Sequence, residues 1–217
     1  METVRLHDYQ NDIRTRLFEA WRTCRSVMVQ MPTGTGKTHV LASVVKECLT
    51  SAPSSMGEGS GGPLCNGVGG GPVWIVAHRR ELVSQIEETI ERYGMNGHDG
   101  HKRYERHKGH EDSEKNGGHE GRIKVMSIQW LTRHIGDMTD RPRLVVIDEA
   151  HHTQARTYRM LWEWCPEARF LGLTATPCRM NRSGFADLFD TLITSWTVAE
   201  FIRKGFLSAF DYVSIRP

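Results

Sequence analysis

The stretch "MPTGTGKT" (31–38) sets two glycines, a lysine and a hydroxyl in an order that suits a polyanion. Gly34 and Gly36 permit a tight turn at positive φ whose backbone N–H groups converge on one point. Lys37 supplies a cation that can reach the β and γ phosphates of a nucleotide, and Thr38 a hydroxyl that can ligate Mg²⁺. The written phosphate-loop pattern, G-x-x-x-x-G-K-[ST], would place its first glycine at position 31, where this sequence has Met31. The other parts are present: an apolar run before the turn and a segment of helical period after it, whose N-terminus favours negative charge. A phosphate loop does not activate water. "RLVVIDEAHH" (143–152) supplies the acids for that: an apolar run delivers Asp148, which can hold Mg²⁺ through its water shell, and next to it Glu149, which can orient or deprotonate an attacking water.

Bringing these two groups together takes a sheet. Apolar runs rich in β-branched residues recur at 26–31, 73–78, 123–128, 144–148 and 170–176 and read as buried strands. Between them, Ile13, Leu17 and Trp21, then Val40, Leu41, Val44 and Val45, then Leu82, Ile86, Ile90 and Tyr93 each fall on one helical face. Near the end, Val198, Phe201 and Ile202 share a face, with Gly205 as the helix stop. The alternation predicts an α/β fold, a mainly parallel sheet with helices on both faces. In such sheets ligands gather at the carboxyl ends of the strands, where both motifs stand.

Two stretches depart from the pattern. Residues 51–72 are rich in Gly, Ser and Pro and are expected to form a flexible surface loop. Residues 95–121 hold five histidines among glycines and mixed charges. Metal ligands need neighbours that fix them, so no structural metal is expected in this second loop.

With 217 residues, 38% hydrophobic and 25% charged, the chain has room for one domain with a substantial core. A net charge of +2 excludes a strongly basic nucleic-acid binder, so such a partner must be held by local groups. The five cysteines are scattered, with no C-x-x-C pair and no signal-peptide pattern at the start, which points to a reducing, intracellular compartment. No apolar run approaches the roughly 18 residues of a membrane span.

The motifs together resemble superfamily 2 helicases and translocases, whose first motif commonly lacks the leading glycine and reads much like "MPTGTGKT". "DEAH" (148–151) is the DEAH form of the second motif. In the family's order, "LHDYQ" (6–10) resembles the glutamine motif, "VAHRRELVSQ" (76–85) motif Ia, "MSIQWL" (126–131) the Ib region and "TATP" (174–177) motif III. RadD-type repair helicases and the motor subunits of type I restriction enzymes look most similar. The resemblance implies a RecA-like ATP-binding lobe over residues 1–205, with 206–217 starting a linker. It implies Gln10 at the adenine; Thr33, Gly34, Thr35, Gly36, Lys37 and Thr38 around the phosphates of ATP; and Thr38 and Asp148 at Mg²⁺. His151, Thr174 and Thr176 would relay nucleotide state, and Arg79, Arg80, Gln85 and Gln129 would face a nucleic-acid strand, DNA in the leading reading.

Members of that superfamily work with two lobes, and the second supplies arginine fingers. Arg179, Arg182 and Arg203 do not stand in the context of the family's sixth motif, so a second RecA-like lobe is expected in the same longer chain or in a partner chain. His7 and Asp8 stand where relatives often have Arg and Pro. The leading expectation is the ATP-hydrolysing lobe of a DNA helicase or translocase, nearly inactive alone. A noncatalytic nucleotide-gated nucleic-acid-binding module and an RNA-acting DEAH helicase are the alternatives.

Overall fold

The computed structural model describes residues 5–50, 71–95, 98–99, 122–152, 156–176 and 188–210. Seven parallel strands form one sheet: β1 (Ser26–Gln30), β2 (Val73–Ala77), β3 (His98–Asp99), β4 (Ile123–Ser127), β5 (Leu144–Asp148), β6 (Arg169–Thr174) and β7 (Thr191–Thr194), in the spatial order β3-β4-β2-β5-β6-β1-β7. The inner strands are apolar at almost every position because both faces are covered; all five residues of β2 are buried.

Alternate strand residues point to opposite faces. Val27, Val29, Ile75, Val146 and Leu173 join one core with Ile13 and Leu17 of α1 (Asp8–Ala20), Val40 and Val44 of α2 (Lys37–Thr50), and Ile86 and Ile90 of α3 (Arg80–Arg92). Met28, Trp74, Val76, Val145 and Ile147 join the other, with Ile128 and Leu131 of α4 (Ile128–His134) and Tyr158 and Leu161 of α5 (Arg156–Trp164). A last helix, α6 (Val198–Arg203), returns Phe201 to the first core. The fold is therefore α/β with a parallel sheet covered on both faces.

Several elements differ from expectation. The strands β1, β2, β4 and β6 end one or two residues early: β1, β2 and β6 pass into loops, and β4 runs straight into α4, which Ser127 caps. The helices α4 and α5 and the edge strand β7, where Ile193 alone is fully buried, were not legible as elements. Val198 is 42% exposed and not on the buried face. Gly205 does stop α6, at φ 76°, with Phe206 N–H donating to Phe201 O at 2.9 Å. Phe206 and Leu207, the first residues of the expected linker, pack against Tyr9 and the first core.

The glycine- and serine-rich stretch lies outside the described residues except for Gly71 and Pro72. Pro72 O accepts from Arg143 N at 3.0 Å. Of the histidine-rich stretch, Met95 is buried beneath α3, and His98–Asp99 pairs with β4. The rest, 96–97 and 100–121, lies outside the described residues, as do Arg179 and Arg182.

Candidate active site

Strand register sets the site. Gln30 at the end of β1 is level with Thr174 at the end of β6, and Asp148 at the end of β5 is level with Leu173. The loop after β1 and the acids after β5 thus leave the same edge of the sheet with one strand between them. Met31 N–H donates to Thr174 O at 2.9 Å and Gln30 Nε2 to Ala175 O at 3.2 Å, tying the start of the phosphate loop to the end of β6.

Within the loop, Gly34 and Gly36 have φ of 83° and 77°, the region that excludes most side chains. Thr33 and Gly34 are exposed at the lip. Thr35 is buried, and its hydroxyl donates to Pro32 O at 2.7 Å, so its side chain braces the turn. Lys37 opens α2, whose first amides have no partners within the helix. Its Nζ donates to Met31 O at 3.4 Å. Among the described residues it makes no ion pair. A cation with one long carbonyl contact beside a glycine turn and a helix N-terminus fits the phosphates of ATP.

Helix α1 supports the loop from below. Tyr9 Oη donates to Thr35 O at 2.9 Å and Gln10 Nε2 to the same oxygen at 3.1 Å, while Gln10 Oε1 accepts from His7 N at 2.9 Å. Gln10 is 3% exposed and lies against Gly36, where an added Cβ would meet Nε2 at 2.5 Å. It is therefore a part of the loop's support rather than a solvated helix residue. Tyr9 was missed, although it sits next to Gln10 in "LHDYQ". Gln30 was missed too; a glutamine inside "VMVQM" was its signal.

Burial pushes the Asp148 carboxyl above its usual range and the neighbouring Glu149 charge adds to this, outweighing the Glu149 N–H, Lys37 and His151. A carboxylate at the carboxyl edge of the sheet, one strand from the glycine turn, suits a Mg²⁺ ligand; Thr38, on the first turn of α2, is the hydroxyl that could share the ion. Glu149 takes φ 51°, unusual for a residue with a side chain. Its Oε2 lies 3.2 Å from His151 Nδ1, which lies 3.0 Å from Thr174 Oγ1. Thr174 Oγ1 gives its hydrogen to Thr176 O at 3.0 Å and accepts from Thr176 N at 3.1 Å. Glu149, His151, Thr174 and Thr176 thus form one hydrogen-bonded chain from β5 to β6. Gly172 makes the approach possible: a Cβ there would stand 2.8 Å from Ala150 Cβ.

Further along the same edge, Arg79, Arg80, Gln85 and Gln129 are exposed. Gln129 Nε2 donates to His78 O at 2.8 Å, joining the turn after β2 to the start of α4. Among the described residues no group of three His, Cys, Asp or Glu side chains could hold a metal by itself, and no helix is long and apolar enough to cross a membrane.

A parallel sheet with a glycine turn, lysine and acid pair at its carboxyl edge defines the class: a RecA-like lobe. The chain belongs to the family described as type III restriction enzyme, res subunit, whose model matches residues 3–179. It is 24% identical, over 97% of its length and 29% of the relative's, to the Saccharomyces cerevisiae protein named "Putative ATP-dependent helicase IRC3". The helicase domain of Pyrococcus furiosus Hef is similar in structure, with a TM-score of 0.62 and 19% identity, over 87% of this chain and 38% of that one. So is a nuclease-deletion mutant of the type ISP restriction-modification enzyme LlaGI, solved in complex with a DNA substrate mimic. Its TM-score is 0.60 at 10% identity, over 93% of this chain and 21% of that one. The chain spans between 29% and 32% of the length of two curated relatives it matches.

Proposed function

We propose that this chain is the ATP-binding lobe of a DEAH-form, ATP-dependent DNA helicase or translocase, hydrolysing ATP when joined to a second RecA-like lobe. The observation that carries the reading is the placement of Lys37 and the Asp148–Glu149 pair at one sheet edge, close enough for the Lys37 charge to act on the Asp148 carboxyl. Gly34, Gly36 and the first amides of α2 would receive the phosphates, Lys37 would bind the β and γ oxygens, and Gln10 would meet the adenine with the N–H not given to Thr35. Thr38 and Asp148 would hold Mg²⁺, which supplies charge neutralisation at the transferring phosphoryl group. Glu149 would orient the attacking water and accept its proton.

The path from Glu149 through His151 and Thr174 to Thr176 supports a relay from nucleotide to the surface that grips the strand. Arg79, Arg80, Gln85 and Gln129 would contact backbone phosphates there, which position without reading sequence. The likeness to a type ISP enzyme solved with a DNA substrate mimic favours DNA. RadD-type repair helicases and the motor subunits of type I restriction enzymes are the kind of machine this reading has in view.

The test is ATP turnover by the whole protein with single-stranded DNA, duplex DNA or RNA. Stimulation by DNA above RNA is expected. Stimulation by RNA alone would assign the chain to RNA-acting DEAH helicases, and nucleotide binding without turnover to nucleotide-gated binding modules. Residues 1–217 alone should turn over slowly, because an arginine finger from a second lobe contributes roughly 10³ to 10⁵ in rate. Robust DNA-stimulated turnover by those residues would show that no second lobe is needed.

A further inference from the structure

The chain beyond α6 touches the phosphate loop in two ways. A Cβ at Gly34 would lie 3.3 Å from Leu207 Cδ2, so the leucine covers the side of the turn that Gly34 leaves bare. Phe206 sets its ring edge-on to His7 and Tyr9, each with centroids at 5.1 Å, and lies 6.3 Å from Phe201. Tyr9 is the residue whose hydroxyl holds Thr35 O. One contact is direct, at Gly34; the other runs through Tyr9 to Thr35.

Both contacts depend on the stop at Gly205, where Phe206 N–H and Leu207 N–H both turn back to Phe201 O, at 2.9 and 3.3 Å. The turn they meet contains two glycines at positive φ, and glycine samples more backbone states than any other residue. Within the loop Thr35 ties back to Pro32 O, but Gly34 has no side chain of its own to pack, and Leu207 is a contact that reaches it from outside the loop.

We propose that Leu207, with Phe206 behind it, is a strap that positions the phosphate loop, holding Gly34 and Thr35 in their phosphate-receiving form. Chain movement from residue 206 onward would then release the turn and weaken nucleotide binding. Leu207 acts through Gly34 and is a positioning residue. The inference rests on the nucleotide reading above and deepens it by naming what regulates the loop.

The experiment measures binding of Mg·ATP and of magnesium tripolyphosphate to the whole protein, as wild type, Leu207→Ala, Leu207→Met and Val198→Ala. Each is read well below its own melting temperature. If truncation leaves about a tenth of the loops in the receiving form, both ligands bind about tenfold more weakly to Leu207→Ala. Leu207→Met, which keeps the volume, should restore affinity to within about twofold. Val198→Ala, exposed on α6, should match wild type. Wild-type affinity of Leu207→Ala for both ligands would overturn the strap alone. Loss of ATP binding with tripolyphosphate unchanged would also overturn it, since Leu207 would then serve the base. Failure of the wild type to bind either ligand would remove the nucleotide reading and the strap with it.

Discussion

Gly36→Ala places a methyl group where the structure has no room for one. The backbone there has φ 77°, and a Cβ would stand 2.5 Å from Gln10 Nε2 and 3.4 Å from His39 Nδ1. Holding a residue with a side chain in the left-handed region costs roughly 1–2 kcal/mol. The Gln10 amide sits on a flexible side chain and can swing away, but it then loses its bond to Thr35 O, worth about 0.5–1.5 kcal/mol. Thr35 O keeps the Tyr9 hydroxyl, so no buried carbonyl is orphaned, and the expected loss is about 2–3 kcal/mol in all. Gln10→Ala alone gives up the Thr35 bond and the cap on His7 N, at about 1–2 kcal/mol. The two losses overlap. Because the added methyl already expels Gln10, the double variant should fall short of additivity by about 1 kcal/mol. Urea unfolding of the three variants and the parent, with unchanged slope, measures this. Additivity within about 0.3 kcal/mol would show that Gln10 does not lie against Gly36.

Gly172→Ala drives a Cβ to 2.5 Å from Phe189 Cζ and 2.8 Å from Ala150 Cβ. The overpacking should cost about 1–3 kcal/mol, and an unchanged melting temperature would speak against this packing. Asp148→Asn should raise the melting temperature of the nucleotide-free protein near neutral pH. Burial and Glu149 raise the Asp148 carboxyl, so its stabilising contribution is present below the ordinary carboxylate pKa and lost as pH rises through the higher folded value. The gain should shrink in acid; a loss of stability at neutral pH would contradict it. Asp190 has the opposite sign. Burial would raise its carboxyl, but the Ser26 amide and hydroxyl and the Arg25 amide and charge win, and its pKa is lowered. Its contribution is present above the ordinary value and lost as pH falls through the lower folded one. Asp190→Asn should therefore cost about 1 kcal/mol or less at neutral pH, since the side chain is solvent-exposed, and nothing in strong acid. A pH-independent cost would refute the assignment.

The central strands and their partner helices were legible because β1, β2 and β5 are apolar runs and each of α1, α2 and α3 has an apolar stripe of helical period. The glycines of the loop were legible for a similar reason: only a tight turn asks for Gly34 and Gly36 next to Lys37. What was not legible depends on contacts that exist only once the turns and the chain around them are folded. Nothing local marks Thr35 as turned inward, because its hydroxyl partner, Pro32 O, is set by the fold of the turn. Leu207 reads as the start of a linker until Gly205 turns the chain back onto Gly34. Val198 fits a helical stripe, yet α6 is only six residues long and buries Phe201 instead. The edge strand β7 has too few buried positions to show a strand pattern, and its place beside β1 is secured by Asp190 accepting from Ser26 N and Oγ, both at 2.8 Å.

The central claim is a division of labour: the loop with Lys37 binds nucleotide, and Glu149 acts on water. It is tested most directly by Glu149→Gln in the whole protein, measuring Mg·ATP affinity and DNA-stimulated turnover in the same preparation, with Lys37→Ala as the blank for binding. The expected result is wild-type affinity for Mg·ATP with turnover reduced at least about 10²-fold, the contribution of a positioned general base. Hydrolysis at the wild-type rate, or nucleotide binding that survives intact in Lys37→Ala, would contradict the account.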